Sequence, residues 1–270
     1  MKKGLKKYFH NLFKIIAKPE MRILPGQLAF FLLLSLIPLV AIVAALAARF
    51  SLPIEDILNS VNNNLPGEIS KIIIDIIKGR NLDINLIIFY ISAFILASNG
   101  PQSMITGSNM LYKIKDKDIV STRIKAIIMT LFLVMLLLFV IIVPVFGDHI
   151  VRLLVNFMPN ISIENGLRGA YNILKYPVTL LIIYFFIKLL YTMAPDKKIK
   201  SKYTTKGALF TTVGWVIFTE IYSLYITRLV NYSVLYGSVA QLIVLFIWIY
   251  ILSYIFMLGM AINASSLEDL

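Results

Sequence analysis

From Gln27 to Ala48 the chain runs without a single charged side chain. At about 1.5 Å of rise per residue, such a helix crosses the roughly 30 Å hydrocarbon core of a bilayer. In lipid every backbone N–H and C=O must be paired within the segment, which leaves a helix as the structure for an isolated apolar run. Comparable stretches recur along the chain, and apolar residues make up 59% of it against 15% charged. A soluble domain carries roughly 45–50% apolar and 25% charged residues, so this surface faces lipid. The sequence predicts an all-α membrane protein with six transmembrane helices, at about 27–49, 84–112, 124–146, 171–193, 204–229 and 235–264. A basic cytoplasmic leader (1–26) precedes this 27–264 membrane domain, and a short cytoplasmic tail (265–270) follows.

The connections alternate in charge. Lys113, Lys115, Lys117 and Arg123 crowd one loop, and Lys197, Lys198, Lys200, Lys202 and Lys206 another. The intervening connections hold few cations: Lys71, Lys78 and Arg80 are opposed by acids, and Arg152 and Arg168 stand alone in theirs. Lys and Arg accumulate on the cytoplasmic side, so both termini are expected inside, in the bacterial inner membrane. The formal charge of +12 then reports topology and anionic headgroups, with membrane lipids as the expected partners and no nucleic acid.

Residues 1–18 read as a basic amphipathic helix in the headgroup plane, with Leu5, Tyr8, Phe9, Leu12, Phe13 and Ile16 on one face. A secretory signal is rejected, because the leader and the apolar run that follows are both too long. On the outer side, Ile54–Leu65 positions, Ile69–Ile77 positions and the Ile150, Leu153, Leu154, Phe157 set make apolar stripes. These predict amphipathic extracytoplasmic helices, packed on the bundle or floating in the outer leaflet.

Polar groups at membrane depth need partners and are the natural functional candidates. Asn99, Gln102, Thr106 and Asn109 fall on one face of the second span, beside Gly100 and Pro101. Proline removes a helical N–H, so the span is expected to be kinked or broken there. Two readings follow: amides that glue helices together, or a broken-helix substrate path of the kind transporters use. Ser35 in the first span and Glu220, the sole acid inside a predicted span, complete the candidate path. Glu220 is read as a structural ion pair with Lys175 or Arg228, or else as a proton-coupling group.

Enzymatic chemistry finds little material. The chain has no cysteine and two histidines, His10 and His149, which the topology puts on opposite sides. Metal-assisted hydrolysis needs convergent carboxylates or histidines, and no such spacing occurs. Ser35 has no basic residue placed to activate it, and no phosphate-cradling glycine loop is present. No enzymatic activity, cofactor or metal is expected.

A set of motifs carries a resemblance. They are Gln27-Leu-Ala-Phe-Phe-Leu-Leu-Leu-Ser35-Leu-Ile-Pro38, Gly107-Ser-Asn109-Met-Leu-Tyr112 and Leu190-Tyr191-Thr-Met-Ala-Pro195-Asp-Lys-Lys198. Gly207, Trp215, Tyr236-Gly237-Ser238, Trp248-Ile-Tyr250 and Leu258-Gly259 with Asn263 continue the series. In order and spacing from 27 to 264, this is similar to the YihY/BrkB family of bacterial inner-membrane proteins, once labelled ribonuclease BN. The resemblance implies structural roles for Pro38, Tyr191, Pro195, Tyr236, Gly237, Gly259 and Asn263. It also implies a role between transport or export and envelope lipid homeostasis, with the ribonuclease label a misassignment. One departure stands out: Ala261 occupies the position where the family commonly has a glutamate. The function expected is transport or lipid handling through a cavity beside the broken helix. The alternative is a non-catalytic scaffold or assembly factor of the envelope.

Overall fold

A computed structural model describes residues 16–17, 19–49, 84–136, 161–228 and 233–268. The predicted leader helix, the outer amphipathic stripes and the end of the third span lie outside these residues. Within them the protein is all-helical: α1 (Glu20–Arg49), α2 (Ile84–Ala97), α3 (Asn99–Tyr112), α4 (described over Ile119–Leu136), α5 (Ile161–Met193), α6 (Thr205–Arg228) and α7 (Ser233–Glu268). A single 3-10 turn, Ser201–Thr204, leads into α6.

Four described windows are long and apolar enough to cross a membrane: Ile119–Leu136, Tyr176–Met193, Ser201–Tyr225 and Ile243–Leu267. Their outer faces keep large apolar side chains exposed, among them Ile124, Leu131, Leu181, Leu209, Ile217 and Ile247. Helices apolar on every side are what a lipid solvent selects.

The second predicted span divides where proline chemistry requires. Pro101 has no N–H for the Ala97 carbonyl, and the helix breaks at Ser98 between α2 and α3. The Ser98 hydroxyl donates to the Ile95 carbonyl at 2.6 Å, which occupies an acceptor beside the break. At its far end α3 closes with Lys113 in the left-handed region (φ 53°), while the Ile114 N–H returns to the Asn109 carbonyl at 2.8 Å. α4 begins at Ile119, where the Asp118 carboxylate caps it by accepting the Ser121 N–H at 2.9 Å.

α7 packs along α1 and α6 and touches α3, while α1 covers α2 and α3, and α5 lies on α6. One core joins Met21, Leu24 and Leu28 of α1 to Met104 and Ile105 of α3, Met129 of α4, Leu190 and Tyr191 of α5, and Phe256, Met257 and Met260 of α7. Ala261 sits in this core at 2% exposure, where a carboxylate would need a partner that an alanine does not.

Small residues set the closest crossing. A methyl group added at Gly207 of α6 would collide with the Gly259 carbonyl oxygen of α7 and with the Asn263 side chain. That approach lets the Asn263 Oδ1 accept the Gly207 N–H at 2.7 Å, so α7 caps the first turn of α6 in place of a local residue. Tyr191 donates to the Phe256 carbonyl at 2.6 Å and accepts from the Thr211 hydroxyl at 2.6 Å, tying α5, α6 and α7 together. Tyr191→Phe keeps the ring packing and removes both bonds. It is expected to lower unfolding free energy by about 1–2 kcal/mol, read from thermal denaturation of the solubilised protein.

The contacts also fix which helix ends meet. Gly107 of α3 packs on Met257 of α7 and Leu24 of α1. The start of α4 meets the exit of α5, and the start of α6 meets the end of α7. The helices therefore alternate in direction, with α2 and α3 acting as one traverse. The first residue of α1 and the last of α7 lie at the same end as loops 113–118 and 194–200.

Candidate functional site

That shared end is held by a charged knot. Asn109, on the last turn of α3, donates from Nδ2 to Asp116 Oδ1 and to Asp196 Oδ2, both at 2.7 Å. Its Oδ1 accepts the Asp196 N–H at 2.9 Å. Lys125 Nζ, from the second turn of α4, donates to Asp196 Oδ1 at 2.8 Å and to the carbonyls of Ala194 and Pro195 at 2.7 and 2.8 Å. The Asp196 side chain is 1% exposed. Burial pushes its carboxyl pKa up, but donors from Lys125, Asn109 and the Lys117 N–H outweigh burial and hold it below the ordinary value.

The knot clamps both basic loops to one surface, so Lys113, Lys115 and Lys117 stand with Lys197, Lys198, Lys200 and Lys202 exposed around it. Beside it, between α4 and the end of α5, opens a cleft of about 290 Å³ lined by Lys117, Ser121, Ile124, Lys125, Ile128 and Met193. Its wall is apolar and its mouth cationic.

On another side of α4, Arg123 reaches the break between α2 and α3. Nη1 donates to Asn99 Oδ1 at 2.8 Å and to Gln102 Oε1 at 2.6 Å, and Nη2 donates to the Ile95 carbonyl at 2.8 Å. The Ile95 carbonyl, which also accepts the Ser98 hydroxyl, and the two amides thus share one guanidinium.

The expected path residues are therefore dispersed among the described residues. Ser35 is fully buried and donates to the Leu32 carbonyl at 3.0 Å. Gly100 lies so close that an added methyl would sit 3.2 Å from the Ser35 Oγ and 3.0 Å from Leu32. This is a tight α1–α3 contact, with Pro101 buried beside it. Asn99 and Gln102 turn to Arg123, Thr106 is half-buried, and Asn109 belongs to the knot. Glu220 is exposed on α6. Packing and the two cations give Ser35, Asn99, Gln102 and Asn109 different partners. The side chains of Pro38, Lys175, Arg228, Tyr236 and Gly237 lie outside the described residues. Tyr191, Gly259 and Asn263 form the helix seam, and Pro195 is buried at the knot.

Sequence reasoning counted Arg123 and Lys125 as topological charges and passed over Asp196. The Pro195-Asp196 exit was legible as a motif, but the partners of Asp196 and Lys125 were not. Among the described residues no three His, Cys, Asp or Glu side chains are grouped to hold a metal ion.

An all-helical bundle with lipid-compatible outer faces and a clamped basic end defines an integral membrane protein. The family model for virulence factor BrkB matches residues 16–269, and the chain belongs to that family. A putative ribonuclease-like protein YfkH of Bacillus subtilis is 30% identical, over 88% of this chain and 87% of its own length. A UPF0761 membrane protein of Vibrio campbellii is 24% identical, over 96% of this chain and 81% of its own length. A second UPF0761 membrane protein, from Vibrio parahaemolyticus, is also 24% identical, with the same coverage. No solved structure matches.

Proposed function

We propose that this chain is a six-span, N-in/C-in protein of the bacterial inner membrane that handles anionic phospholipid at its cytoplasmic face, without enzymatic activity. The six-span reading is supported by the alternating helix directions and by the gathering of basic loops and both described termini at one end. The observation that carries lipid handling is the cleft between α4 and α5. Its Ile124, Ile128 and Met193 wall suits an acyl chain, and Lys117 at its mouth suits a phosphate. Lys125 is already saturated by three oxygen acceptors and Ser121 is hydrogen-bonded to Asp118, so Lys117 is the cation left for a headgroup. The word ribonuclease in a relative's name does not enter this reading, since hydrolysis would need convergent ligands that the sequence spacing does not provide.

The test is redistribution of a fluorescent phosphatidylglycerol between leaflets of proteoliposomes, followed by dithionite quenching. Protein-containing vesicles are expected to exchange label faster than empty ones, and Lys117→Glu or Ile128→Asp to slow exchange several-fold. Rates equal to protein-free vesicles would refute movement of lipid. The scaffold reading is favoured by a different observation, the close packing at Ser35–Gly100 and Gly207–Gly259. Stable copurification of a partner protein, with lipid bound but not moved, would support it.

A further inference from the structure

We propose that Arg123, Asn99 and Gln102 form a binding site for a phosphate-type oxyanion, on the opposite flank of α4 from the cleft. The charge of Arg123 is unbalanced among the described residues. Arg123 is half-buried, and its three recorded acceptors are two amide oxygens and a backbone carbonyl, all neutral. Among the described residues no carboxylate lies within ion-pair distance of it. This differs from Lys125 two residues on, whose charge is met by Asp196 at 2.8 Å. A guanidinium held in an apolar setting without a counter-charge needs water or an anion, and it does not deprotonate to escape the cost.

The surroundings are apolar. Ile95, whose carbonyl binds Arg123, is 45% exposed, and Ile88 and Ile91 of the same helix are exposed as well. Ile119, Val120 and Ile124 are exposed along the first turns of α4.

The remaining donors point the site towards an anion. Three N–H groups of Arg123 are used, which leaves the Nε–H and one Nη2 hydrogen with no partner among the described residues. Because the amide oxygens of Asn99 and Gln102 are turned to the cation, their NH2 groups are turned away from it. Neither amide nitrogen has a recorded acceptor among the described residues. The two free donors of this planar guanidinium, held in place by Asn99 and Gln102, match two oxygens of a phosphate monoester or diester. The chemistry is the same for a lipid headgroup phosphate and for free phosphate.

This site does not depend on lipid movement through the cleft, and the variants that decide it, at Arg123 and Gln102, lie outside the cleft. Full-length protein in detergent is titrated with short-chain phosphatidylglycerol, with phosphatidylcholine and with inorganic phosphate, and binding is read by native mass spectrometry. The critical variant is Gln102→Glu, which keeps the shape and supplies an internal carboxylate to Arg123. It is expected to weaken oxyanion binding at least about tenfold while thermal stability holds or rises, since a charge-assisted pair replaces a neutral one. Arg123→Gln should lose binding similarly, and Arg123→Lys should retain part of it. Lys117→Glu should leave this site unchanged, which separates its failure from failure of the cleft. Binding of the lipid that inorganic phosphate does not displace assigns the site to a headgroup; equal binding of inorganic phosphate assigns it to the free ion. Wild-type affinity in both Gln102→Glu and Arg123→Gln, or no binding of any probe, would overturn the proposal.

Discussion

Asp196→Ala is expected to destabilise the solubilised protein by about 3 kcal/mol or more, the magnitude for removing one partner of a buried ion pair. Alanine leaves Lys125 with carbonyl acceptors only and strips Asn109 of an acceptor for its Nδ2, so loops 113–118 and 194–200 lose their common anchor. Limited proteolysis should then cut near one of these loops, and thermal denaturation should register the loss. Asp196→Asn retains the shape and should cost less. The pH dependence has a definite sign. The folded-state carboxyl pKa lies below its ordinary value of 3.8, so the stabilisation is complete above that value. It is lost as pH falls through the depressed folded-state value, so acid should loosen Asp196→Ala less than the wild type in that range; the Asp118 cap, also held below 3.8, titrates in both. A variant whose loops remain protected and whose acid response matches wild type would contradict this account of the knot.

Gly207→Ala is the second large effect. The added methyl meets the backbone carbonyl of Gly259, which cannot rotate aside as a side chain can, and also crowds Asn263. Helices α6 and α7 must separate, which weakens the Asn263 cap and the Tyr191–Phe256 bond beside it. Overpacking of this kind costs about 1–3 kcal/mol, and a backbone neighbour places this site at the upper end. Gly169→Ala supplies the contrast. Among the described residues nothing lies within 4 Å of the added methyl there, so the same substitution should gain up to about 1 kcal/mol from helix propensity. Denaturation midpoints of the two variants, moving in opposite directions from wild type, would separate steric cost from backbone entropy. Equal shifts would reject the close-crossing explanation.

Much of the architecture was legible because lipid imposes a strict local code. Long uncharged runs located helices that the structure places at 20–49, 84–97 with 99–112, 161–193, 205–228 and 233–268. The break before Gly100-Pro101 was legible because a missing N–H acts on the carbonyl four residues earlier. Hydropathy does not register a cap: Asp118 begins α4 at Ile119 with one carboxylate bond. The motif residues Tyr191, Gly207, Gly259 and Asn263 were recognisable as a set, yet their roles appear only when α5, α6 and α7 are packed.

The candidate site followed the opposite pattern. Asn99, Gln102, Thr106 and Asn109 share a helical face by spacing alone, and one face suggested one cavity. Arg123 and Lys125 stand two positions apart on α4 and point to different neighbours, so they divide that face between two environments.

The clustering of Lys and Arg in two loops, legible at the outset as a topological signal, acquires a more specific meaning from the fold. By itself the sequence determined that the chain is helical, membrane-borne and basic in particular loops, because those properties depend on residues close together along the chain. Only the tertiary structure decided that Asp196 answers Asn109 and Lys125 and that Arg123 is left with neutral partners. Asn109 and Asp196 are 87 positions apart, and no periodicity of one helix can encode which charge a distant loop will bring to it.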